Sequence, residues 1–280
     1  MYDLIVVGGG AAGTSAALTA RSRGKTVAVV ANPVETSSMY KAERMDNFPG
    51  MPSVSGQEMA AAFRTQLEES GAELIAGRAL SVVPLGGSFG VAVANDFYES
   101  RAVILAVGIT RERLYPGEAE FLGRGVSYCA TCDGFLYKGK TIAVLCTSER
   151  FEREIEYLAD LAKKVYLIPL YKNVAVRKEN IEKIVRMPTG IAGGLRAQKL
   201  LFKEEELPVD GIFLLKESVS PAVLVGGLEM ENGHVKVNRD MSTNLKGCFA
   251  AGDCTGRPYQ YAKAAGEGNV AAHAVCERKE

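Results

Sequence analysis

Two cysteines stand three positions apart in the run Cys-Ala-Thr-Cys-Asp-Gly, residues 129 to 134. Two thiols at this spacing can close a local disulfide, and one thiolate can be stabilised by neighbouring groups. Disulfide exchange also needs a proton to be taken from an attacking thiol or given to a leaving one. Cys129 and Cys132 therefore indicate redox chemistry.

The remaining cysteines and the histidines do not extend this pair into a metal site. Zinc would need two further ligands, but there is no second C-x-x-C, and His234 and His273 lack ligand spacing. No metal is expected. The other four cysteines are expected to be buried as small hydrophobic side chains: Cys146, Cys248, Cys254 and Cys276.

The chain opens with a strand, a glycine turn, a helix and a second strand, at Leu4 to Val7, Gly8 to Gly13, Ala11 to Arg23 and Thr26 to Val30. Gly8, Gly10 and Gly13 form the pattern G-x-G-x-x-G directly after the first strand. In this setting the pattern predicts a dinucleotide diphosphate held against bare backbone at the positive end of a helix. The acidic residue that usually ends the second strand is missing, since Ala31 and Asn32 stand there.

Composition and charge narrow the class of protein. The 280 residues carry 33 basic and 33 acidic side chains, so the charge balance favours neither nucleic acid nor an anionic membrane as a partner.

The run MYDLIVVGGG has no basic leader and no cleavage site, so it is interpreted as a strand, not as a signal peptide. The stretch Leu4 to Ala20 fits a strand and a helix better than a membrane span. A cytoplasmic enzyme is expected.

A second strand, turn and helix begin further along the chain. Residues 141 to 168 repeat the opening pattern, with a helix expected to begin near Ser148. Near Ser218 the chain leaves this unit, and residues 247 to 275 supply another strand, an Ala-Gly-Asp turn and a final helix. The pattern predicts an α/β protein with a second α/β domain inserted into a discontinuous first domain.

Four motifs, in this order along the chain, strongly resemble those of the low-molecular-weight flavoprotein thioredoxin reductases: GGGAAG, DNFPGMPSVSG, GRGVSYCATCDGFLYKGK and FAAGDCTGRPYQYAKAAGEG. The resemblance covers most of the chain. It implies two Rossmann-like, three-layer domains and a homodimer. The FAD-binding domain would be discontinuous, residues 1–113 and 218–280. The inserted domain, residues 114–217, would carry the cysteine pair, and in the family it normally binds NADPH.

The resemblance also assigns the cofactor-binding residues. FAD would lie on the first glycine turn, with Asp253 on its ribityl chain and residues 260–262 against the flavin ring. The full set is Gly8, Gly10, Ala12, Gly13, Ser38, Asn47, Gly252, Asp253, Gln260, Tyr261 and Ala262.

The same resemblance assigns roles in the redox reaction to three residues. Cys132 would be the sulfur beside the flavin and the one that attacks the partner disulfide, and Cys129 would be the resolving cysteine. Asp133 would be the acid–base catalyst. The implied partner is thioredoxin.

The second turn, residues 146 to 150, reads Cys-Thr-Ser-Glu-Arg and has no glycine. Side chains at every position would keep a diphosphate away from the backbone amides. Ser148 can cap the helix, and Glu149 would repel a phosphate. Family members that use NADPH carry basic residues after the next strand, whereas this chain has Pro169-Leu170-Tyr171. NADPH is therefore not expected to be the electron donor.

An iron–sulfur protein can supply the electrons instead, because flavin accepts one or two electrons. A ferredoxin at about −400 mV lies below thioredoxin at about −270 mV, so the transfer is downhill by roughly 6 kcal/mol. A ferredoxin-dependent branch of the family similarly lacks the NADPH motifs, and the chain resembles that branch. Between Leu161 and Lys203 ten basic residues face two acidic ones, which favours docking of an acidic partner such as ferredoxin.

Two other functions stay open. An FAD-dependent dithiol oxidase would use the same C-x-x-C and pass electrons to oxygen, without any dependence on ferredoxin. An FAD-bearing redox sensor would never deliver electrons to a disulfide, so replacing Cys132 would change none of its activities.

Overall fold

The computed structural model describes residues 1–37, 39–109, 115–216 and 220–278. The helices in these ranges are α1 (Ala11–Ser22), α2 (Gly56–Glu69), α3 (Ala130–Asp133), α4 (Glu152–Leu161), α5 (Pro221–Leu224) and α6 (Tyr261–Glu277). The strands are β1 (Tyr2–Val7), β2 (Val27–Ala31), β3 (Glu73–Ala76), β4 (Ala79–Pro84), β5 (Phe89–Val93), β6 (Asp96–Leu105), β7 (Val126–Ser127), β8 (Thr141–Cys146), β9 (Lys164–Pro169), β10 (Ile181–Lys183), β11 (Gly190–Gly193), β12 (Ala197–Leu201), β13 (Glu206–Pro208), β14 (Gly211–Leu215), β15 (Met230–Glu231), β16 (His234–Val235) and β17 (Cys248–Ala250). Within the described ranges, none of the helices combines the length and the apolar character that a membrane crossing requires.

The chain forms two compact units. One consists of Met1–Thr110 and Ser220–Glu280, and the other of Arg111–Val219. The domain limits expected from the sequence, between residues 113 and 114 and between 217 and 218, lie outside the described residues, so they stay a prediction.

The first unit is built on a seven-stranded sheet of order β3-β2-β1-β6-β5-β4, in which β17 also pairs with β6. β1 lies between β2 and β6 in parallel register, with Val6 opposite Val29 and Ile104. β17 runs parallel to β6 as well. The carboxyl ends of β1 and β17 therefore meet at one edge of the sheet, and so do the turns that follow them.

Three helices of the first unit cover one face of this sheet. Leu4 and Val6 lie in a core with alanines of α1, Met59 and Phe63 of α2, and Ala271 of α6. α1 and α6 approach each other closely, since a Cβ on Gly268 would lie 2.0 Å from the carbonyl oxygen of Ala12. This close contact fixes the start of α1 against α6.

The second unit is built on a five-stranded parallel sheet of order β10-β9-β8-β14-β7, and it also contains the antiparallel sheet β11-β12-β13. Ile155 and Leu158 of α4 are fully buried against the parallel sheet. β7 pairs with β14, with Ser127 opposite Phe213. Because β7 leads directly into α3, the fold places the cysteine pair at the carboxyl edge of this sheet.

The two parallel-sheet, Rossmann-like units confirm the predicted α/β class.

Helical structure begins next to Ser148, as expected, but its first turn is a 3₁₀ turn, and the expected cap by the Ser148 side chain is wrong. Ser148 is extended, with φ −151°, and its side chain makes no capping hydrogen bond among the described residues. Its carbonyl oxygen instead accepts the N–H of Phe151 at 3.2 Å, which closes a 3₁₀ turn over Glu149–Phe151. The α-helix therefore begins only at Glu152.

Candidate functional site

The first glycine turn joins β1 to α1 through bare backbone. Gly8 has a φ of 115°, and a Cβ there would lie 2.2 Å from the carbonyl oxygen of Ala106. A Cβ on Gly13 would lie 1.8 Å from the carbonyl oxygen of Gly8. Any side chain at these two positions would therefore collide with backbone, so helix and turn pack closely only because both residues are glycine.

Gly10 is glycine for a different reason. It is the N-cap of α1 with φ −80°, and among the described residues nothing beyond its own chain neighbours comes within 4 Å of its would-be Cβ. In this part of the structure no side chain caps α1, and its first turn has no acidic residue. The first N–H groups of the helix can therefore meet an anion. The turn fits the diphosphate of a dinucleotide.

The Ala-Gly-Asp turn lies at the same sheet edge, directly after β17. Gly252 has a φ of 88°, and a Cβ there would lie 2.9 Å from the Cβ of Ala12 in α1. Only glycine lets the two turns approach this closely. The structure thus brings Ala12 and Gly252 together, with Asp253 next in the chain.

Two charged side chains of α6 hold the Ala-Gly-Asp turn in place. Lys263 Nζ donates to the carbonyl oxygens of Gly252 and Gly256, at 2.9 and 2.8 Å. It also donates to Thr255 Oγ1 at 3.1 Å. Glu267 Oε2 accepts the N–H of Gly252 and the hydroxyl of Thr255, both at 2.8 Å. The ammonium and carboxylate lie 3.1 Å apart, so they brace the turn as a pair.

Sequence reasoning misses Lys263 and Glu267. Their opposite charges at i, i+4 spacing are visible in the sequence, but such pairs usually stabilise the exposed face of a helix. The pattern therefore does not reveal that both side chains reach a turn that precedes the helix.

Asp253 and Tyr261 share one electrostatic environment. Burial raises the pKa of the Asp253 carboxyl, while the charge of Lys263 lowers it and that of Glu267 raises it. Burial also raises the pKa of Tyr261, and the negative charge of Asp253 adds to the rise. These two expected FAD residues therefore lie within electrostatic reach of each other.

The other expected FAD residues are placed as follows. Asn47 Nδ2 donates to Gln260 Oε1 at 2.6 Å, which links the polar loop before α2 to the residue before α6. Ala262 is exposed in the first turn of α6. Ser38 lies outside the described residues.

Cys129 and Cys132 form a disulfide across α3, with their Cα atoms 5.3 Å apart. Cys129 is the N-cap of α3, and its Sγ accepts the N–H of Cys132 at 3.1 Å. Ser127 Oγ accepts the N–H of Cys129 at 3.0 Å and donates to its carbonyl oxygen at 3.1 Å. Cys132 is exposed and Cys129 half-buried, so Cys132 is the more accessible residue of the pair.

Asp133 and two apolar side chains follow the disulfide. Asp133 is half-buried. Burial raises the pKa of the nearby Tyr137, Arg196 acts against this rise, and the charge of Asp133 adds to it. Phe135 and Leu136 are 67% and 64% exposed. We call these two side chains the redox-turn patch, because large exposed apolar groups commonly mark interaction sites.

At the second turn, Glu152 has contacts that the sequence does not reveal. As the first residue of α4, it accepts the hydroxyl of Tyr171 at 2.9 Å and the N–H of Ala175 at 2.8 Å through Oε1. Burial, and then the hydrogen bond to Glu152, raise the pKa of Tyr171. A carboxylate therefore ties the loop after β9 to the start of α4.

The basic stretch between Leu161 and Lys203 is partly neutralised. Four of its ten basic residues form salt bridges: Lys164 with Glu182, Lys178 with Asp160, Arg186 with Glu205 and Lys199 with Glu206. Within the described ranges, the other six form no salt bridge, and all are exposed: Lys163, Lys172, Arg177, Lys183, Arg196 and Lys203. The basic surface is smaller than the sequence count implies.

The described residues contain no group of three or more His, Cys, Asp or Glu side chains that could hold a metal ion. Cys146, Cys248 and Cys254 are buried as predicted, whereas Cys276 is only half-buried. Burial raises the pKa of Cys248 and of Cys254 to about 12. These two thiols therefore stay protonated at neutral pH and are not candidates for redox exchange.

The first unit has a glycine turn that fits a dinucleotide, and the second unit carries a C-x-x-C disulfide. Together these two features are typical of flavin-dependent disulfide oxidoreductases. The chain belongs to the pyridine nucleotide-disulphide oxidoreductase family, whose model matches residues 2–268. The thioredoxin reductases in this family are flavoproteins that bind FAD.

Within the family the chain is similar to thioredoxin reductases. It is 32% identical to thioredoxin reductase of Aquifex aeolicus (strain VF5) over 276 residues, covering 90% of this chain and 85% of that one. Among solved structures, a ferredoxin-flavin thioredoxin reductase from Clostridium acetobutylicum is 41% identical, with a TM-score of 0.83 and coverage of 99% and 97%. A thioredoxin reductase from Gloeobacter violaceus is 29% identical, with a TM-score of 0.76 and coverage of 98% and 93%. The chain is thus a flavoprotein disulfide oxidoreductase of the thioredoxin reductase type.

Proposed function

We propose that the chain is a thioredoxin reductase that takes electrons from reduced ferredoxin, not from NADPH. They pass through FAD and the Cys129–Cys132 disulfide to thioredoxin. The observation that carries the proposal is the second turn, where side chains occupy the position of a glycine-rich phosphate site. The similarity to the ferredoxin-flavin thioredoxin reductase of Clostridium acetobutylicum supports the same donor.

The start of α4 is unfavourable for a dinucleotide phosphate. The N-cap is Phe151, and the first turn carries the carboxylates of Glu152 and Glu154. Acidic groups there stabilise the helix but repel an anion. Tyr171, hydrogen-bonded to Glu152, lies two residues after the end of β9, where NADPH-using relatives would need basic groups for the 2′-phosphate. This arrangement supports a protein donor.

FAD, when bound, accepts electrons singly or in pairs and can deliver a pair to a disulfide. Its diphosphate would lie against the turn formed by Gly8, Gly10 and Gly13, where the space beside Gly10 is open among the described residues. Asp253 would accept hydrogen bonds from hydroxyl groups of the ribityl chain. The brace formed by Lys263 and Glu267 would hold the Asp253 turn in position.

Cys132 would make the covalent attack, because it is the more exposed residue of the pair. Two electrons and two protons convert the disulfide into two thiols. The Cys132 thiolate then attacks the disulfide of thioredoxin and forms a mixed disulfide. Attack by Cys129 on Cys132 releases reduced thioredoxin and restores the pair. The N–H of Cys132, which lies 3.1 Å from Cys129 Sγ, would stabilise negative charge on Cys129, and Asp133 would exchange the protons.

The redox-turn patch would receive thioredoxin. Phe135 and Leu136 begin three residues after Cys132, so a partner that covers them also approaches the exposed sulfur. Burial of such apolar groups is a common source of affinity at protein interfaces.

The six exposed basic side chains that form no salt bridge with any described residue would favour an acidic ferredoxin. Opposite charges steer the encounter of two proteins and raise its rate at low salt. From the family resemblance we further propose that the protein is a cytoplasmic homodimer.

Reduction of thioredoxin with each donor tests the proposal. We expect turnover with chemically reduced ferredoxin, and none above background with NADPH. Cys132→Ser should lower the ferredoxin-driven rate by at least about 10²-fold, because the attacking sulfur is lost. Cys276→Ser, which changes a half-buried cysteine outside the redox pair, should leave the rate unchanged.

Other outcomes would favour the alternatives. Equal turnover with NADPH would refute the donor assignment. Rapid oxygen consumption with a small dithiol, independent of ferredoxin, would favour a dithiol oxidase, and unchanged activity of Cys132→Ser would favour a redox sensor.

A further inference from the structure

A buried ion pair in the second unit contacts Tyr128, the residue before the redox turn (residues 129–134), and the proposed chemistry does not use this pair. Lys216 Nζ lies 2.7 and 2.8 Å from the two carboxylate oxygens of Glu118. Their side chains are only 4% and 1% exposed. Lys216 directly follows β14, so this charge lies at the carboxyl edge of the parallel sheet.

Two aromatic residues also donate hydrogen bonds to Glu118. The hydroxyl of Tyr128 donates to Glu118 Oε1 at 2.5 Å, and the N–H of Tyr115 donates to Oε2 at 2.9 Å. Lys216 Nζ lies 5.3 Å from the centroid of the Tyr115 ring. Tyr115 and Tyr128 are both 4% exposed. The carboxylate therefore joins its own segment to Tyr128, ten residues later in the chain, and to the distant Lys216.

Tyr128 connects this pair to the disulfide, because it directly precedes Cys129. On its other side, Ser127 is fixed by its pairing with Phe213 of β14 and by two hydrogen bonds to Cys129. The peptide that enters the redox turn is thus held both by the sheet and by the phenol of Tyr128.

Stability alone is a poor reason for this arrangement. Burying two charges carries a desolvation penalty, and a well-packed apolar pair of similar volume is often as stable or more so. A buried pair with full hydrogen bonding does, however, fix the groups that it contacts in one geometry.

We propose that Glu118 and Lys216 are positioning residues for the redox turn, and that they act through the hydroxyl of Tyr128. This inference rests on the proposed redox role of Cys129 and Cys132. Holding the entry to the turn keeps the two sulfurs close, which favours the disulfide over the dithiol. Releasing Tyr128 therefore shifts the equilibrium towards the dithiol.

The test measures the dithiol–disulfide equilibrium of Cys129 and Cys132 in the full-length, FAD-loaded protein. Samples are equilibrated in dithiothreitol buffers, quenched with an alkylating reagent and analysed by mass. We expect Tyr128→Phe to shift the equilibrium constant at least about threefold towards the dithiol, a potential about 14 mV less negative. Its unfolding temperature should fall by no more than about 4 °C.

Tyr166→Phe is the matched control, because it removes the hydroxyl of a tyrosine in the same unit whose ring centroid lies 4.5 Å from another ammonium, Lys164 Nζ. It should leave the equilibrium constant unchanged. The double variant Glu118→Gln/Lys216→Met removes both charges of the pair together, and it should reproduce the shift of Tyr128→Phe. Adding Tyr128→Phe to that double variant should give no further shift, since the residues act together.

An unchanged equilibrium constant in folded Tyr128→Phe would overturn the positioning role, and so would an equal shift in Tyr166→Phe. These results would leave the proposed function intact, because the buffer replaces both ferredoxin and thioredoxin. Failure of the wild-type pair to exchange with dithiothreitol would overturn both.

Discussion

Phe135 is an exposed aromatic residue in the redox-turn patch, three positions after Cys132. Phe135→Ser removes apolar area that thioredoxin would bury but leaves the disulfide in place. Aromatic anchors of this kind contribute about 1–2 kcal/mol or more to an interface. We therefore expect the KM for thioredoxin to rise about 5- to 30-fold, measured by steady-state kinetics with ferredoxin as donor.

Leu195→Ser provides the control for this change. Leu195 is 90% exposed between β11 and β12 of the same unit, so its loss should leave the KM for thioredoxin unchanged. A similar rise in both variants, or no rise in Phe135→Ser, would contradict the assignment of the patch.

Single residues show what the sequence can and cannot reveal about the site. The spacing of Cys129 and Cys132 indicates redox exchange because the disulfide closes within one turn of chain. Glu152 and Lys263 could not be predicted, because their partners depend on loops that tertiary folding brings to them.

At the scale of the first strand–turn–helix element, two glycines of one motif should respond differently to alanine. Gly10→Ala should fold, because its Cβ would meet no described residue within 4 Å. The added methyl group would occupy space close to the diphosphate, so we expect the Kd for FAD to rise at least about tenfold. Fluorescence titration of the apoprotein with FAD measures this change.

Gly13→Ala is the comparison, since its Cβ would lie 1.8 Å from a backbone oxygen. It should lower the free energy of unfolding by about 3 kcal/mol or more even without FAD. Wild-type FAD affinity in Gly10→Ala would contradict the assignment of this turn to the diphosphate.

The second strand–turn–helix element shows why helix starts are hard to predict. The residues after β8 include Ser148, a good N-cap type, and yet the chain first makes a 3₁₀ turn and α4 begins at Glu152. Ser148 and Glu152 both lie at plausible start positions, and the contacts of Glu152 with Tyr171 and Ala175 are tertiary. The local sequence therefore does not show at which of these two positions the α-helix begins.

For the whole molecule, the order of elements was the most predictable feature. Continuous apolar runs such as Leu4 to Val7 and Ile142 to Leu145 mark buried parallel strands. The small sheet β11-β12-β13 was not predicted, because its strands are three to five residues long and its pairing is interrupted by a bulge at Ala192 and Gly193.

The net charge of the basic stretch, Leu161 to Lys203, also depends on the fold of the whole molecule. Asp160, Glu205 and Glu206 lie outside the basic stretch in sequence, but they neutralise Lys178, Arg186 and Lys199 within it. These three carboxylates neutralise part of the excess positive charge that is counted along the sequence between Leu161 and Lys203.

The identity of the electron donor is the central claim, and anaerobic flavin reduction tests it most directly. The purified FAD-loaded protein is mixed in a stopped-flow instrument with reduced ferredoxin, and separately with NADPH, while the absorbance of oxidised flavin is followed. We predict rapid bleaching by ferredoxin and no bleaching by NADPH on the same timescale. Bleaching by NADPH within milliseconds would contradict the account, and so would a flavin that reduced ferredoxin does not bleach.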